Sequence, residues 1–436
     1  IFFNSPILIF YRYYVLKYCI FCVFMIYILG ILIRGEFILD KFVVEGNTKL
    51  IGDITIGGAK NAAIAILPAT LLVNGITTLD NVPRISDVYN ICEILNSLGA
   101  VVTWTGEHSV TVDARNLECT HASLELTSKF RASYYLLGAL LGRCHSAQVG
   151  LPGGCNLGQR PIDQHIKGFE LLGAKVDVSQ GRITASTDDL VGTSIYFDVV
   201  SVGATINLIL ASVLAKGTTI LDNVAKEPHV VDVANFLNSV GANIKGAGTD
   251  TIKIYGVDSL SGNHTYSVVP DQIEAGTFMV AAVASHGNIL IKNCIPEHLD
   301  SLTAKLIEMG ADIDILDDSI RVSMENSEIL PTNIKTLPYP GFPTDLQPQI
   351  GVALSIANGT SIINEGIWDS RFQYTDELNK MGAKITSHGK TAVFEGVKEL
   401  TGAPLYATDL RAGAALLIAG IIANGTSEIN NIHYID

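Results

Sequence analysis

The sequence predicts a mixed α/β chain of two domains, each built from three copies of one supersecondary unit, with the sixth copy incomplete. Three observations carry that expectation. Gly-Ala closes a short amphipathic helix at Gly99, Gly173, Gly241, Gly310 and Gly382, at separations of 74, 68, 69 and 72 residues. Upstream of four of these, a glycine opens an apolar strand that ends in Asn: Gly75 to Asn81, Gly217 to Asn223, Gly287 to Asn293 and Gly359 to Asn364. Six units of about 70 residues exceed the roughly 250 to 300 that one hydrophobic core supports, so they divide three and three.

In chain order, the first 34 residues stand apart. Tyr18 to Ile33 is an uninterrupted apolar run of 16 residues between Lys17 and Arg34, short of the ~20 that a spanning helix needs. A signal anchor is one reading. The other, which we favour, is translated sequence upstream of the true start, residues 1–38, with Leu39 in the initiator position, because periodicity begins only at Asp40. Each unit then reads as a helix of small apolar residues, a strand, an amphipathic helix ended by glycine, and a pair of strands. Alternating Val and Ile in Lys175 to Ala185 and Asp312 to Ser323 mark such pairs. The first three units fill residues 60–268. The later units, with residues 39–59, form the second domain, 269–436, so the chain crosses between domains near Gly58 and near Val269. A last strand, Gly425 to Asn430, opens before the chain stops at Asp436.

The second unit departs from the pattern, carrying about seven extra residues between Gly142 and Gly173. They form Leu151-Pro-Gly-Gly-Cys-Asn-Leu-Gly-Gln-Arg-Pro-Ile-Asp163. Its glycines and prolines exclude regular structure and put Cys155 on a loop, with Pro161 suited to the first position of a helix from Ile162 to Leu172. An insertion in one of six equivalent places is hard to explain by packing, which favours function.

The repeat also aligns the residues that open each small-residue helix: Lys60-Asn61, Phe130-Arg131, Ser201-Val202-Gly203, Asp271 to Glu274, Asp345, and Asp409 to Arg411. Helix N-termini leave backbone N–H groups free and attract anions. Ser201 and Asp271 read equally well as plain N-caps. Lys60, Arg131 and Arg411 are cations placed against the helix dipole, which is unfavourable unless an anion lies between. With Arg160 and Arg371 they suggest a substrate with several negative charges. One thiol on a loop and one carboxylate without an obvious partner, Asp345, suit proton transfer on a phosphorylated carboxylate, with cations stabilising the phosphate as it leaves.

Composition narrows the class. The chain has 436 residues, 48% apolar and 17% charged, and a net charge of -14. That balance argues against nucleic acid or an anionic membrane as the bulk partner. Seven cysteines without paired spacing suit a reducing cytoplasm. Ten scattered histidines and the lack of a phosphate loop imply neither metal nor nucleotide cofactor.

At Gly58-Ala-Lys-Asn61, Phe130-Arg-Ala-Ser133, Pro152 to Pro161, Ser201-Val-Gly-Ala-Thr205, Phe342-Pro-Thr-Asp345 and Asp409-Leu-Arg411, the chain from Asp40 to Asp436 strongly resembles the UDP-N-acetylglucosamine enolpyruvyl transferases of the EPSP synthase superfamily. The resemblance implies two inside-out α/β barrel domains, each of three βαβαββ repeats. It implies transfer of the enolpyruvyl group of phosphoenolpyruvate to the sugar 3'-hydroxyl, committing UDP-N-acetylglucosamine to peptidoglycan synthesis. By the same resemblance, Cys155 is the general acid and the thiol that fosfomycin alkylates, and Asp345 receives the hydroxyl proton. Lys60, Asn61, Arg160, Arg371 and Arg411 are implied at phosphoenolpyruvate. Asn61, Arg131, Arg160, Asp163, Ser201, Val202, Gly203, Asp345 and the Ile367 backbone are implied at the sugar nucleotide, with the Cys155 loop closing between the domains.

Two departures stand out. The family's Arg-Gly-Tyr and last helix would follow Asp436, so weak turnover and lower stability are expected of this chain. Gln164 stands where the family has an apolar residue near the uracil. The nearest rival, an EPSP synthase, has no cysteine loop. A fragment that binds sugar nucleotide without turnover is the non-enzyme alternative.

Overall fold

The computed structural model describes residues 40–117, 122–129, 131–151 and 162–435, together with the backbone of 13–16; the side chains of residues 128, 129 and 131 are not described. The chain forms two compact units, one running from Gly57 to Asp271 and the other combining residues up to Ile56 with those from Gln272 onward.

The helices explain the architecture. Lys60–Ala69, Tyr135–Cys144 and Val202–Ser212 in the first unit are buried on nearly every face past their first turn. The same holds for Gln272–Ala284, Gln347–Ser355 and Leu410–Ile422 in the second. A helix apolar all round belongs in an interior. Small residues let such helices approach at backbone distance: a Cβ on Gly138 would lie 2.3 Å from the Asn207 carbonyl oxygen of the neighbouring helix. By contrast, Ser86–Ser97 buries only the stripe Val88, Ile91, Cys92, Ile94 and Leu95. The strands bury alternate residues, as in Ile76–Asp80 and Arg182–Ser186, so the sheets face outward over a helical interior. This is the inside-out α/β arrangement.

The sheets repeat one pattern. In the first unit His264–Ser267 runs parallel to Ile76–Asp80, which pairs antiparallel with Val110–Asp113, itself antiparallel to Val101–Trp104. Ser194–Tyr196, Thr218–Asp222, Thr251–Tyr255 and Asn243–Lys245 repeat that order. So do Ile51–Thr55, Asn288–Lys292, Ser319–Ser323 and Asp312–Ile315 in the second unit, and Ile334–Lys335, Thr360–Asn364, Thr391–Glu395 and Lys384–His388. The second copy contributes Ser146–Gly150, Arg182–Ser186 and Lys175–Ser179. In the last sheet Pro404–Tyr406 flanks Thr426–Asn430, and the antiparallel partner is Lys41–Glu45. Of the segment 1–38, only Tyr13–Leu16 is described, its backbone parallel to Lys41–Glu45.

The repeated residues have local causes. Gly99, Gly173, Gly241, Gly310 and Gly382 all take positive φ, between 92° and 112°, the left-handed turn that ends a helix and that glycine adopts without strain. The strand-end asparagines Asn81, Asn223 and Asn293 are also left-handed. Their Nδ2 groups donate to the carbonyls of Val268, Phe197 and Ile56 just past the flanking parallel strands. Each asparagine thereby stitches two strand ends. In the final copy that residue is Asn431, bonded to Ala407, rather than the expected Asn430. In the Gly359 copy the expected Asn364 sits one residue early, and the equivalent position holds Glu365.

Where the first unit ends, buried Asp232 accepts bonds from the Tyr266 hydroxyl and the Val269 N–H. Burial raises its pKa to about 6, above the ~3.9 of an unfolded aspartate. The folded chain therefore binds this proton more tightly, and the contribution is full below about pH 4 and lost as pH rises through the folded value. Relative to Asp232→Asn, the wild type should lose about 2–3 kcal/mol of unfolding free energy between pH 4 and pH 7. Urea titrations at both pH values measure this, and a pH-independent difference would contradict it.

Candidate functional site

In the first unit, Lys60 opens its helix two residues after Gly58, whose missing Cβ lets the chain pass against the Asn81 carbonyl; a Cβ there would lie 1.6 Å from that oxygen. The Lys60 N–H donates to the Asp271 carboxylate at 3.0 Å, and its ammonium pairs with Asp87. The anion that the misplaced cation called for is thus partly supplied by the protein. Asn61 lies beside it, half-buried. Ser201 is an N-cap, its hydroxyl accepting from the Ala204 N–H at 3.3 Å. Val202 and Gly203 follow in the first turn, half-buried, and Gly203 makes room for the Tyr134 phenol, which would lie 2.7 Å from a Cβ.

Asp163 starts the helix Asp163–Leu171 and accepts from Gln164 Nε2 at 3.0 Å. The same Gln164 donates to the Asp198 carboxylate and accepts the Asp198 N–H, at 3.2 and 3.0 Å, so its polarity is used internally. Lys167 joins that cluster, 2.7 Å from Asp198, and holds the Asp198 pKa below the usual carboxylate range. Arg131 lies in the short turn Arg131–Tyr134; its side chain, like Cys155 and Arg160, lies outside the described residues.

In the second unit the structure corrects the expectation for Asp345, which reads from sequence as a carboxylate without a partner. It lies in the turn Thr344–Leu346, gripped by two guanidiniums. One oxygen accepts from Arg371 Nη2 at 3.0 Å, the other from Arg411 Nε and Nη2 at 3.1 and 2.8 Å. Arg371 is only 3% exposed, and its Nε and Nη2 also donate to the Thr344 carbonyl at 3.2 and 3.0 Å. Asp409 caps the helix Leu410–Ile422, accepting from the N–H groups of Arg411 and Ala412, and lies 4.0 Å from Arg371 Nη1. Arg411 thus sits at a helix N-terminus neutralised by two carboxylates. Ile367, partly exposed, donates its N–H to Glu365 Oε1 at 2.8 Å.

Sequence reading did not identify Asp87 or Glu365. Asp87 carries no signal of its own, since its partner is 27 residues away on another helix. Glu365 could have been found by counting from the strand-opening glycine. Chemically, the second unit presents a carboxylate held by two cations that can equally hold a substrate carboxylate or phosphate. No helix among the described residues is long and apolar enough to cross a membrane.

Comparison with known proteins gives a consistent picture. Residues 44–436 match the family model described as EPSP synthase (3-phosphoshikimate 1-carboxyvinyltransferase). The chain is 58% identical over 399 residues to UDP-N-acetylglucosamine 1-carboxyvinyltransferase 2 of Clostridium acetobutylicum, covering 91% of this chain and 95% of that one. It is 56% identical, with the same coverage, to the UDP-N-acetylglucosamine 1-carboxyvinyltransferase of Clostridium botulinum. Among solved structures, the enolpyruvyl transferase NikO from Streptomyces tendae superposes with a TM-score of 0.82 at 24% identity, over 90% of this chain and 93% of that one. EPSP synthase from Acinetobacter baumannii superposes at 0.69 and 18% identity, over 88% of this chain and 92% of that one.

Asp345→Asn should weaken both ion pairs and leave two guanidiniums competing for an anion. Thermal unfolding should show a loss of about 2–3 kcal/mol, and millimolar inorganic phosphate should raise the melting temperature more in D345N than in the wild type. Equal phosphate responses would contradict an anion-binding role for Arg371 and Arg411.

Proposed function

Since the chain belongs to the EPSP synthase family and, within it, to the UDP-N-acetylglucosamine 1-carboxyvinyltransferases, we propose that Asp345, Cys155 and the arginines divide that family's reaction as follows. The sugar 3'-hydroxyl oxygen bonds to C2 of phosphoenolpyruvate while its proton passes to Asp345. The Cys155 thiol protonates C3, giving a tetrahedral intermediate. The C2–O bond to phosphate then breaks as the departing phosphate takes the proton held on Asp345, the Cys155 thiolate takes a proton back from C3, and the enolpyruvyl ether and phosphate remain. No cofactor is required by this balance.

The observation that carries the assignment is the Asp345 cluster. A carboxylate bonded to two guanidiniums is a poor base, so it must be released before it can accept a proton. The carboxylate and phosphate of phosphoenolpyruvate are competing anions of the right geometry for Arg371 and Arg411. Substrate binding would then free Asp345 and place cations where phosphate departs. Lys60, Asn61 and Arg160 complete our assignment for phosphoenolpyruvate. Asn61, Arg131, Arg160, Asp163, Ser201, Val202, Gly203, Asp345 and the Ile367 backbone complete it for the sugar nucleotide. The role at the first committed step of peptidoglycan synthesis, with the acidic charge and cysteines that lack paired spacing, supports a cytoplasmic location.

Phosphate release from phosphoenolpyruvate should require UDP-N-acetylglucosamine and be blocked by fosfomycin. Asp345→Ala should lower kcat by roughly 10²- to 10⁴-fold, and Cys155→Ser should abolish fosfomycin labelling. Release supported by shikimate 3-phosphate instead, or full turnover by D345A, would overturn the assignment.

A further inference from the structure

We propose that Glu365 is a positioning residue for this reaction, setting the Ile367 backbone and the Asp345 turn from one buried carboxylate; this rests on the roles given above to Asp345, Ile367 and Arg371. Six residues after the strand-opening glycine, four copies carry a left-handed asparagine, Asn81, Asn223, Asn293 and Asn431, each bonded to a carbonyl beyond the flanking parallel strand. The Gly359 copy has Glu365 at that position, and it does not take the left-handed conformation.

The structural task of the asparagine is done there by another residue. Thr336, on the chain that follows the flanking strand, donates its N–H to the Asn364 carbonyl at 3.0 Å, as Val268, Phe197, Ile56 and Ala407 do to the equivalent carbonyls in the sister copies, and supplies the side-chain link by accepting the Gly366 N–H on its hydroxyl at 2.8 Å. Gly366 permits this contact, since a Cβ would lie 2.4 Å from the Thr336 carbonyl oxygen. The strand ends are therefore joined without Glu365. Exchanging a neutral amide for a carboxylate that is 2% exposed is unfavourable unless its oxygens are well bonded.

Those bonds lead to the proposed site. Oε1 accepts the N–H groups of Ile367 and Trp368 at 2.8 and 3.1 Å. Oε2 accepts the Thr344 hydroxyl at 3.1 Å. Thr344 precedes Asp345, and its carbonyl receives two bonds from Arg371. One side chain thus fixes a backbone segment assigned to the sugar nucleotide, and the turn that aims the base and its arginine. Shared anchoring keeps the two in register, where small displacements carry large kinetic costs.

The decisive variant is E365N, which restores the residue used by the sister copies. Measured beside the wild type and E365Q are the melting temperature, kcat, KM for UDP-N-acetylglucosamine, and amide exchange at Ile367 and Trp368. E365N should melt within a few degrees of the wild type, yet lose about 100-fold in kcat, raise KM, and exchange those two amides about tenfold faster. E365Q keeps an acceptor for both amides and a partner for the Thr344 hydroxyl, so it should stay within about tenfold of wild-type kcat. Should E365N not fold, Thr344→Val deletes only the hydroxyl link, and the same drop in kcat at unchanged melting temperature is expected. Wild-type kcat and exchange in E365N, or in T344V where that variant stands in, overturns the proposal. A wild type inactive with both substrates would sink the functional reading instead, leaving the exchange rates to decide on Glu365.

Discussion

The fold is governed by helices that are apolar on every side. Once Lys60–Ala69 and Val202–Ser212 are buried in the core of the first unit, and Gln347–Ser355 and Leu410–Ile422 in that of the second, few of their flanks can carry an ionised group without a large desolvation penalty. Charge is pushed to their ends. The polar and charged residues to which we assign the substrates accordingly gather at N-terminal turns: Lys60 and Asn61, Ser201 to Gly203, Asp345, and Asp409 to Arg411. The same turns present backbone N–H groups that no helical carbonyl accepts, and Asp271, Ser201 and Asp409 take them up, so acceptor oxygens gather there as a result of the packing.

That constraint also explains why the protein pairs its own charges so carefully. Lys60 has Asp87 and Asp271 nearby, Arg411 has Asp345 and Asp409, and nearly buried Arg371 is held by Asp345 and the Thr344 carbonyl. A cation at a positive helix end must have a counter-ion. A counter-ion that is a side chain can be exchanged for a substrate anion, the exchange on which the proposed role of Asp345 depends.

Much of the repeat was legible in the sequence because its cause is local. A glycine in a left-handed turn, an all-apolar helix of small residues, and alternating strands each leave a mark within about ten residues. The partners were not legible. Arg411 and Asp345 are 66 residues apart, and Lys60 meets Asp87 from a different helix, so neither pairing leaves a period. Asn364 lies one residue short of the asparagine position, which residue type alone does not reveal and distance from the glycine does. Counting distance brings Glu365 into the asparagine position, where the break in pattern is itself the signal. Cys155 and Arg160 stand out in sequence as part of the one insertion, and they lie outside the described residues.

Whether Asp345 is a base held in reserve is most directly tested by a crystal structure of the chain with phosphoenolpyruvate and a UDP-N-acetylglucosamine analogue lacking the reactive hydroxyl proton. Arg371 and Arg411 should then bond the anionic groups of phosphoenolpyruvate, with a freed Asp345 oxygen within hydrogen-bond distance of the sugar 3'-position. Asp345 still bonded to both arginines with the two ligands in place would contradict the exchange.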